Sequence, residues 1–435
     1  MRWMGSAAVS TPSIALPPLL PPLPPWASAG IHISQASTPP SSWYTRPSVL
    51  EREELAVFRN SWLAVAHASR LASRGSFASG SLLRLQWLAC RGEDGSLHAF
   101  HNVCRHHAAI LAEGHGMAAC FTCRYHGWTY GLDGRLLKAT RLKGIQDFKA
   151  AEHGLLPLSV QEWGGHIWVR QQRAALSQPR QKEQQLRQRV AQEGQPVEAW
   201  LGPAGSAAAL ASGIADKQLV HVASRQYELA CNWKVFVDNY LDGGYHVGVA
   251  HPDLASGLDL NTYQSTTYEK VSMQTCQPSA AGAASGTDTA AASGMAVPLQ
   301  QGARAAAHED PASQHLHAQR LASGRSPAYL FVYPNLMFNR YGPWLDTNTV
   351  VPQAADRCKV LFEYYLEESM AGDASFVEAS LAASHRVQLE DVALCESVQR
   401  GLASSGYDAG RYAPSVEQPM HHFHSLLHAD LTAGS

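Results

Sequence analysis

Four side chains in the stretch CRHHAAILAEGHGMAACFTCRYH could hold an inorganic cluster. Cys104 and His106 stand one residue apart, Cys123 and His126 two apart, and sixteen residues separate the pairs. Two thiolates and two imidazoles are what a [2Fe-2S] centre of mixed ligation needs, with the cysteines on one iron and the histidines on the other. Each short loop would then supply one ligand to each iron. A zinc site with two cysteines and two histidines uses the same four atoms. Zinc fingers, however, pair cysteine with cysteine and histidine with histidine. Here both pairs are mixed, and Gly127, Trp128 and Tyr130 follow with the turn Leu132, Asp133, Gly134. The arrangement favours the cluster over zinc. His107, His115 and Cys120 fall off the spacing and are expected to be structural.

A second stretch, NWKVFVDNYLDGGYHVGVAH from Asn232 to His251, brings His246 and His251 beside Asp238 and Asp242. Oxygen chemistry at a single iron wants two imidazoles and one carboxylate on one face, with positions left open. A five-residue spacing does not put both rings on one helical face. The backbone must bend between or after them, and Gly243, Gly244, Gly248 and Pro252 permit that. Two histidines at such a spacing are more often ordinary core or surface residues. The cluster motif changes the weighing, because a reducing centre requires an electron acceptor. The histidines of the tail, His421, His422, His424 and His428, alternate without a carboxylate partner and are read as structural.

The elements that must position these residues fall into blocks. At 435 residues the chain has room for two or three domains. Charged residues make up 16% and the net charge is -2, which leaves no footing for a nucleic-acid surface or a polybasic membrane anchor. Eight cysteines are scattered without regular spacing, as suits a reducing compartment. Met1 to Leu50 contain no Asp or Glu. Residues 1–42 therefore read either as an organelle transit peptide or as a disordered Pro-rich tail. Prolines interrupt the apolar stretch Ile14 to Ile31, so no transmembrane helix is expected.

Residues 43–175 read as a small all-β domain. It opens with a helix over Arg52 to Trp62 and continues with strands at Leu82 to Cys90, Leu97 to Phe100, Trp128 to Tyr130, Leu158 to Trp163 and His166 to Arg170. A linker over 176–212 contains one predicted helix, Gln181 to Gln192. Residues 213–435 form a second domain with strands at Leu219 to Leu229, Ala328 to Tyr341, Thr347 to Val351 and Lys359 to Leu366. A long helix over Ser375 to Leu402 closes it, with Leu381, Gln388, Asp391, Cys395 and Val398 near one face. A low-complexity insertion, 277–325, cannot bury enough apolar surface to order itself.

With both constellations and this order of elements, the chain resembles the catalytic subunits of the Rieske non-haem iron oxygenases over roughly Pro40 to Leu431. Within that family the phrases PPSSWYT, HAFHNVC, YHGWTYGLDG, CNWKVF, DNYLDGGYH, YPNLMFNRYGPW, LCESVQRGL and HHFHSLLH are similar to those of the plant choline monooxygenases. The resemblance implies an α+β fold: a small all-β Rieske domain, then a helix-grip, START-like domain in which an antiparallel sheet packs against a long C-terminal helix. It implies a [2Fe-2S] cluster on Cys104, His106, Cys123 and His126, and a mononuclear Fe(II) on His246, His251 and Asp391. Glu390 is the alternative third ligand. Asp242 would carry electrons between the two centres, although it stands four residues before His246 where many relatives have three, so Asp238 stays open for that role. Neither ligand loop contains the extra cysteine of high-potential Rieske proteins, which implies a lower-potential cluster.

The same resemblance implies the partners. Reduced ferredoxin would charge the cluster, and His126 would pass electrons through the bridging acid towards His246 of a neighbouring subunit in a homo-oligomer, a trimer or a multiple of one. Dioxygen and choline, or a similar small substrate, would be consumed, giving betaine aldehyde hydrate. No nucleic acid or membrane is involved. The compartment would be the chloroplast stroma, otherwise the cytoplasm. Two other readings stay open: an oxygenase of the same build acting on another quaternary amine or an aromatic substrate, and a non-enzymatic electron carrier or redox sensor. A quaternary ammonium must be recognised by aromatic faces and an acid. Tyr329, Phe331 and Tyr333 share a strand face, with Tyr341 and Trp344 near, but such a stripe is more often core than cage.

Overall fold

The computed structural model describes residues 22–172, 194–216, 218–279 and 326–433. The predicted helix Gln181 to Gln192, residues 1–21 and most of the predicted insertion lie outside them.

Residues 22–42, the described part of the stretch read as a transit peptide or a disordered tail, are packed against the rest of the chain. Trp26 and Ala36 are buried, Trp26 Nε1 donates to the Ser37 carbonyl, and Trp43 Nε1 donates to the Pro24 carbonyl at 2.8 Å. Large apolar rings hold this arm on the second domain, where Trp43 stacks on His428. Residues 43–58 follow the arm rather than the cluster domain. Helix α1 (Ser42–Thr45) buries Trp43 and Tyr44, and α2 (Pro47–Glu53) runs on as one π turn, Glu54–Phe58. The helix starts earlier than predicted because Pro47 presets the first turn, where no N–H is needed. It ends earlier because the Asn60 side chain takes the carbonyls of Leu55 and Ala56.

The cluster domain is all β. Strands β1 (Leu63–His67), β2 (Ser76–Leu82), β3 (Leu85–Arg91), β4 (Leu97–His101) and β5 (His115–Met117) come first. Then follow β6 (Phe121–Thr122), β7 (Thr129–Tyr130), β8 (Leu136–Lys138), β9 (Leu158–Trp163) and β10 (His166–Gln171). They form sheets in the orders β1-β10-β9, β4-β3-β2-β5 and β6-β7-β8. The strand predicted from Leu82 belongs instead to a hairpin. The chain turns at Leu83, at φ 50°, and Trp87 lies over Gly80, where a Cβ would come within 2.7 Å of the indole.

Part of the predicted linker is ordered as α3 (Val197–Leu201) and α4 (Pro203–Ala211). Its alanines favour helix, Pro203 starts α4, and Val197, Leu201 and Ala209 are buried. The second domain follows with β11 (Leu219–Leu229), α5 (Trp233–Tyr240), α6 (Val247–Ala250) and α7 (Pro252–Ser256). Next come β12 (Leu258–Thr267), β13 (Val271–Pro278), β14 (Ala328–Val332), β15 (Leu336–Tyr341), β16 (Trp344–Ala354) and β17 (Arg357–Glu367). Among the described residues these strands make one antiparallel sheet in the order β11-β17-β16-β15-β14-β13-β12. The long helix α8 (Ala374–Leu402) is capped by Asp373, which accepts from the Phe376 N–H, and α9 (Gln418–Thr432) ends the chain.

The α+β expectation of an antiparallel sheet with a long C-terminal helix therefore stands, with three differences. Pro334 splits the predicted strand Ala328 to Tyr341 into β14 and β15, since it can donate no ladder bond. β13 runs to Pro278, past the predicted start of the insertion at 277. On α8, Gln388 and Cys395 are buried as expected, but Val398 is half exposed.

Candidate active site

The cluster loops are two copies of one turn. In the first, the Cys104 N–H donates to the Ala109 carbonyl and the Ala108 N–H returns to the Cys104 carbonyl, at 2.8 and 3.0 Å. In the second, the Cys123 N–H donates to the Trp128 carbonyl and the Gly127 N–H to the Cys123 carbonyl, at 2.7 and 2.9 Å. The fifth residue of each loop adopts a positive φ, 59° at Ala108 and 73° at Gly127. Glycine takes that conformation freely, whereas alanine is strained by about 1 kcal/mol. The closure sends both thiols inward: Cys104 and Cys123 are buried, while His106 and His126 are exposed. The two rings meet at 4.7 Å between centroids, and Trp128 stacks under His106.

The thiol environment favours a thiolate. Burial would raise the Cys104 pKa, but hydrogen bonds from the Tyr130 hydroxyl, the His106 and His107 N–H groups and Cys123 hold it below the ordinary value. The Tyr130 hydroxyl lies 3.3 Å from Cys104 Sγ. Soft sulfurs inside and imidazoles outside are the donor set a mixed-ligand diiron cluster requires. His107, expected to be structural, sits at the same tip: ligand atoms of His106, His107 and His126 fall within 4.8 Å of one another. His115 contacts Arg70 at the domain surface, and Cys120 is exposed.

The second centre is assembled from α8 and the segment that leaves α5. Gly243 and Gly244 both have positive φ, and a Cβ at Gly243 would strike the Val416 carbonyl at 2.2 Å. This turn swings His246 back beneath α5. One helical turn, α6, separates the histidines, and His251 leaves it at φ -126°, just before Pro252. Across this turn the two rings stand 5.1 Å apart.

Asp391 on α8 completes the group. Ligand atoms of His246, His251 and Asp391 all lie within 4.8 Å of one another. Asp391 Oδ1 stands 3.0 Å from His251 Nε2 and 3.5 Å from His246 Nε2, and Asn239 Nδ2 donates to it at 2.8 Å. The outward nitrogens are held by other acids: His246 Nδ1 lies 2.6 Å from Asp242 Oδ2, and His251 Nδ1 lies 2.6 Å from Glu390 Oε2. Both Nε2 atoms thus converge on Asp391, the orientation that carboxylate partners impose on ligand histidines. Burial would lower the His246 pKa, but hydrogen bonds and charge from Asp242 and Asp391 raise it to about 9. Two imidazoles facing so much negative charge suit a divalent cation, and the set of two nitrogens and one carboxylate suits Fe(II).

The alternatives left by the sequence separate here. Glu390 lies behind His251 and not at the convergence of the Nε2 atoms. Asp238 turns away to a buried network, bonded to the Tyr44 hydroxyl at 2.8 Å and to His424 Nε2 at 2.9 Å. Asp242 is the acid in contact with His246. His424 itself is fully buried between Tyr44 and Tyr412, as a structural reading of the tail requires.

A cavity of about 200 Å³ opens beside the triad. Asp242, His246, His251 and Asp391 line it together with Phe236, Tyr240, Tyr263, Tyr329, Tyr341 and Phe362. Of the aromatic stripe, Tyr329 and Tyr341 face the cavity. Tyr333 bonds Asp430, Phe331 packs on Phe423 and Trp344 on Phe376, which makes those three core. Tyr240, Tyr263 and the polar lining residues Gln274, Asn339, Asp346 and Asn348 escaped the sequence reading, which placed Gln388 on the helix face of Asp391 without assigning it to the site. Strand alternation carried a signal for those on β14 to β16, but β12 and the pairing across strands did not show in one dimension.

Comparison with known proteins agrees with this geometry. Residues 61–149 match the Rieske [2Fe-2S] domain family, and residues 216–432 match the ring hydroxylating alpha subunit (catalytic domain) family. The chloroplastic choline monooxygenase of Arabidopsis thaliana is 46% identical over 401 residues, covering 92% of this chain and 84% of that protein. Its Spinacia oleracea counterpart is 35% identical over 396 residues, covering 91% and 79%. Among solved structures, the quaternary ammonium Rieske monooxygenase CntA bound to an inhibitor superposes with a TM-score of 0.73 at 25% identity, covering 95% of this chain and all of that one. The chain belongs to the Rieske oxygenases and is a Rieske-type monooxygenase with a [2Fe-2S] cluster and a mononuclear iron.

Proposed function

We propose that this enzyme hydroxylates choline at its carbinol carbon, in the chloroplast stroma, with electrons from reduced ferredoxin. Choline, dioxygen, two electrons and two protons give betaine aldehyde hydrate and water. Cys104, His106, Cys123 and His126 hold the cluster, and His246, His251 and Asp391 hold the iron. When bound, the cluster supplies electrons one at a time and the iron supplies the capacity to activate dioxygen.

The chain's own residues orient and enclose. Asp242 and Glu390 fix the ring orientation of His246 and His251, and Asn239 holds the Asp391 oxygen that faces them. The aromatic walls keep water from the reacting carbon. Electron passage between subunits is supported by exposure on both sides. Tyr125 stands two-thirds exposed beside His126 at the cluster tip, as does Tyr245 next to His246. A second copy would cover both in a homo-oligomer, with Asp242 at the crossing.

The observation that carries the choline reading is the cavity: small, walled by tyrosines, and with Asp242, Asp346 and Asp391 as its acids among the described lining residues. Such a lining suits a compact cation. A substrate bearing a carboxylate would face three acids. The test is incubation of the iron-loaded enzyme with reduced ferredoxin, oxygen and choline. Betaine aldehyde in proportion to oxygen consumed is expected, and none despite full iron and cluster content overturns the choline reading.

A further inference from the structure

Helix α8 presents Ser384, Val387, Gln388 and Asp391 to the cavity. Spacings of three and four keep residues on one helical face, so Gln388 stands one turn from Asp391, with about 5–6 Å between their Cβ positions. Gln388 is 4% exposed, and its Nε2 is buried without a hydrogen-bond partner among the described residues. That nitrogen carries two N–H donors. Buried donors in native proteins are nearly always paired, and an orphaned one destabilises the fold. A donor left open in the wall of a cavity marks a place for an acceptor on a ligand.

The neighbouring polar side chains of the wall are held by the protein itself. Asn239 Nδ2 donates to Asp391 Oδ1 at 2.8 Å, and Gln274 Nε2 donates to the Tyr240 carbonyl at 3.0 Å. Gln274 Oε1 accepts from Tyr263 Oη at 3.1 Å. Asn339 Nδ2 donates to Asp346 Oδ2 at 2.6 Å, and the Asn339 carbonyl oxygen accepts from Tyr240 Oη at 2.8 Å. Ser384 Oγ lies 3.0 Å from Tyr364 Oη. These bonds fix the wall around the triad. Among the described lining residues they leave Gln388 as the side chain whose buried polar atom is open.

We propose that Gln388 donates a hydrogen bond to the hydroxyl oxygen of the substrate and so sets the carbinol carbon beside the wall formed by His246, His251 and Asp391. The inference rests on the choline reading and adds the residue that recognises the alcohol. Choline has one hydrogen-bonding group, its hydroxyl, because a quaternary nitrogen has no N–H and is recognised by charge and π faces. Inside aromatic walls that hydroxyl leaves its water behind, and burying it without a partner is costly. Gln388 Nε2 has the same need from the donor side, so the two desolvated groups satisfy each other. The carbinol carbon is bonded to the held oxygen, and Gln388 stands one turn along α8 from Asp391. The carbon to be hydroxylated is therefore kept at the level of the metal ligands, with the ammonium methyls farther away.

The experiment measures, by calorimetry, the binding of choline and of ethyltrimethylammonium, its analogue without the hydroxyl, to enzyme with both metal centres filled and no reductant present. Wild type is expected to bind choline about tenfold more tightly. Gln388→Met keeps the length of the side chain and removes the donor; it should weaken choline about 30-fold and change the analogue less than about threefold, so that the preference reverses. Supplied with reduced ferredoxin and oxygen, the same variant should form about tenfold less betaine aldehyde per oxygen consumed. If Met prevents accumulation of protein with its cluster spectrum, Gln388→Leu yields the same comparison. A wild type that binds both ligands alike, a variant that keeps the preference for choline, an equal fall for both ligands, or an unchanged yield of betaine aldehyde overturns the role of Gln388 alone. A wild type that forms no betaine aldehyde overturns the choline reading as well.

Discussion

The two candidate metal centres are built by opposite means. The cluster site is local: 23 residues from Cys104 to His126 contain all four ligands, and each loop closes on itself through a reciprocal pair of backbone bonds. The iron site is assembled at long range. Asp391 comes from a helix some 140 residues beyond His251, and each of the three side chains is steadied by a residue that is not itself a ligand. Their electrostatics differ too. Two buried cysteines and exposed imidazoles meet at the cluster tip with no carboxylate among the ligand atoms gathered there, whereas Asp242, Glu390 and Asp391 crowd around two histidines at the iron. Local closure makes a centre whose failure is all or none. A centre held by surrounding acids should fail by degrees.

The largest effects follow from the ligands themselves. Asp391→Ala should reduce turnover below about one thousandth of wild type while the visible cluster spectrum stays intact. Cys104→Ser should remove that spectrum. Iron analysis and absorbance on the same samples check both, and a variant at Asp391 with normal turnover would remove it from the ligand set. Next comes Asp242→Asn. The His246 N–H keeps an acceptor, so iron should stay bound, but product formation should fall about 100-fold. Measuring cluster reoxidation in a single turnover checks this, since slow reoxidation with full iron locates the defect in transfer between the centres. Glu390→Gln is expected to be milder. It weakens the support of His251 Nδ1 and should lower iron affinity about tenfold, read by chelator competition.

The same contrast explains what the sequence made legible. CRHH and CRYH announce the cluster because its ligands and loop closures lie within a few residues of one another. His246 and His251 stand out only through company, and the glycines at 243 and 244 forecast the bend that joins them. Asp391 came from family likeness, since a carboxylate on a helix says nothing of what it faces. Choosing Asp242 over Asp238 needed the packing of α5: one face meets the cavity, and the other meets Tyr44 and His424 on the arm and α9. The packing of residues 22–42 was hidden for a related reason. An acid-free, Pro-rich stretch looks removable until Trp26 is seen against His421, His424 and His428, 400 residues away. Asp346 was invisible for want of strand register, because its neighbours Asn339 and Tyr329 belong to other strands.

The smallest expected effect sharpens the contrast from the cluster side. Tyr130 is fully buried, its hydroxyl accepts from the Arg105 N–H at 3.0 Å and lies within reach of Cys104 Sγ. A hydrogen bond to a cluster sulfur disperses negative charge and favours the reduced state. Tyr130→Phe deletes that bond at constant ring packing. One hydrogen bond of about 1 kcal/mol corresponds to about 40 mV for a single electron, so the reduction potential should fall by that order while the cluster spectrum and iron content hold. Redox titration of the intact enzyme measures it. Turnover would then change little, because a more reducing cluster delivers its electron more readily even as ferredoxin fills it less completely. An unchanged potential would mean that the hydroxyl serves the Arg105 backbone alone, and that the cluster loops close without help from outside their own turns.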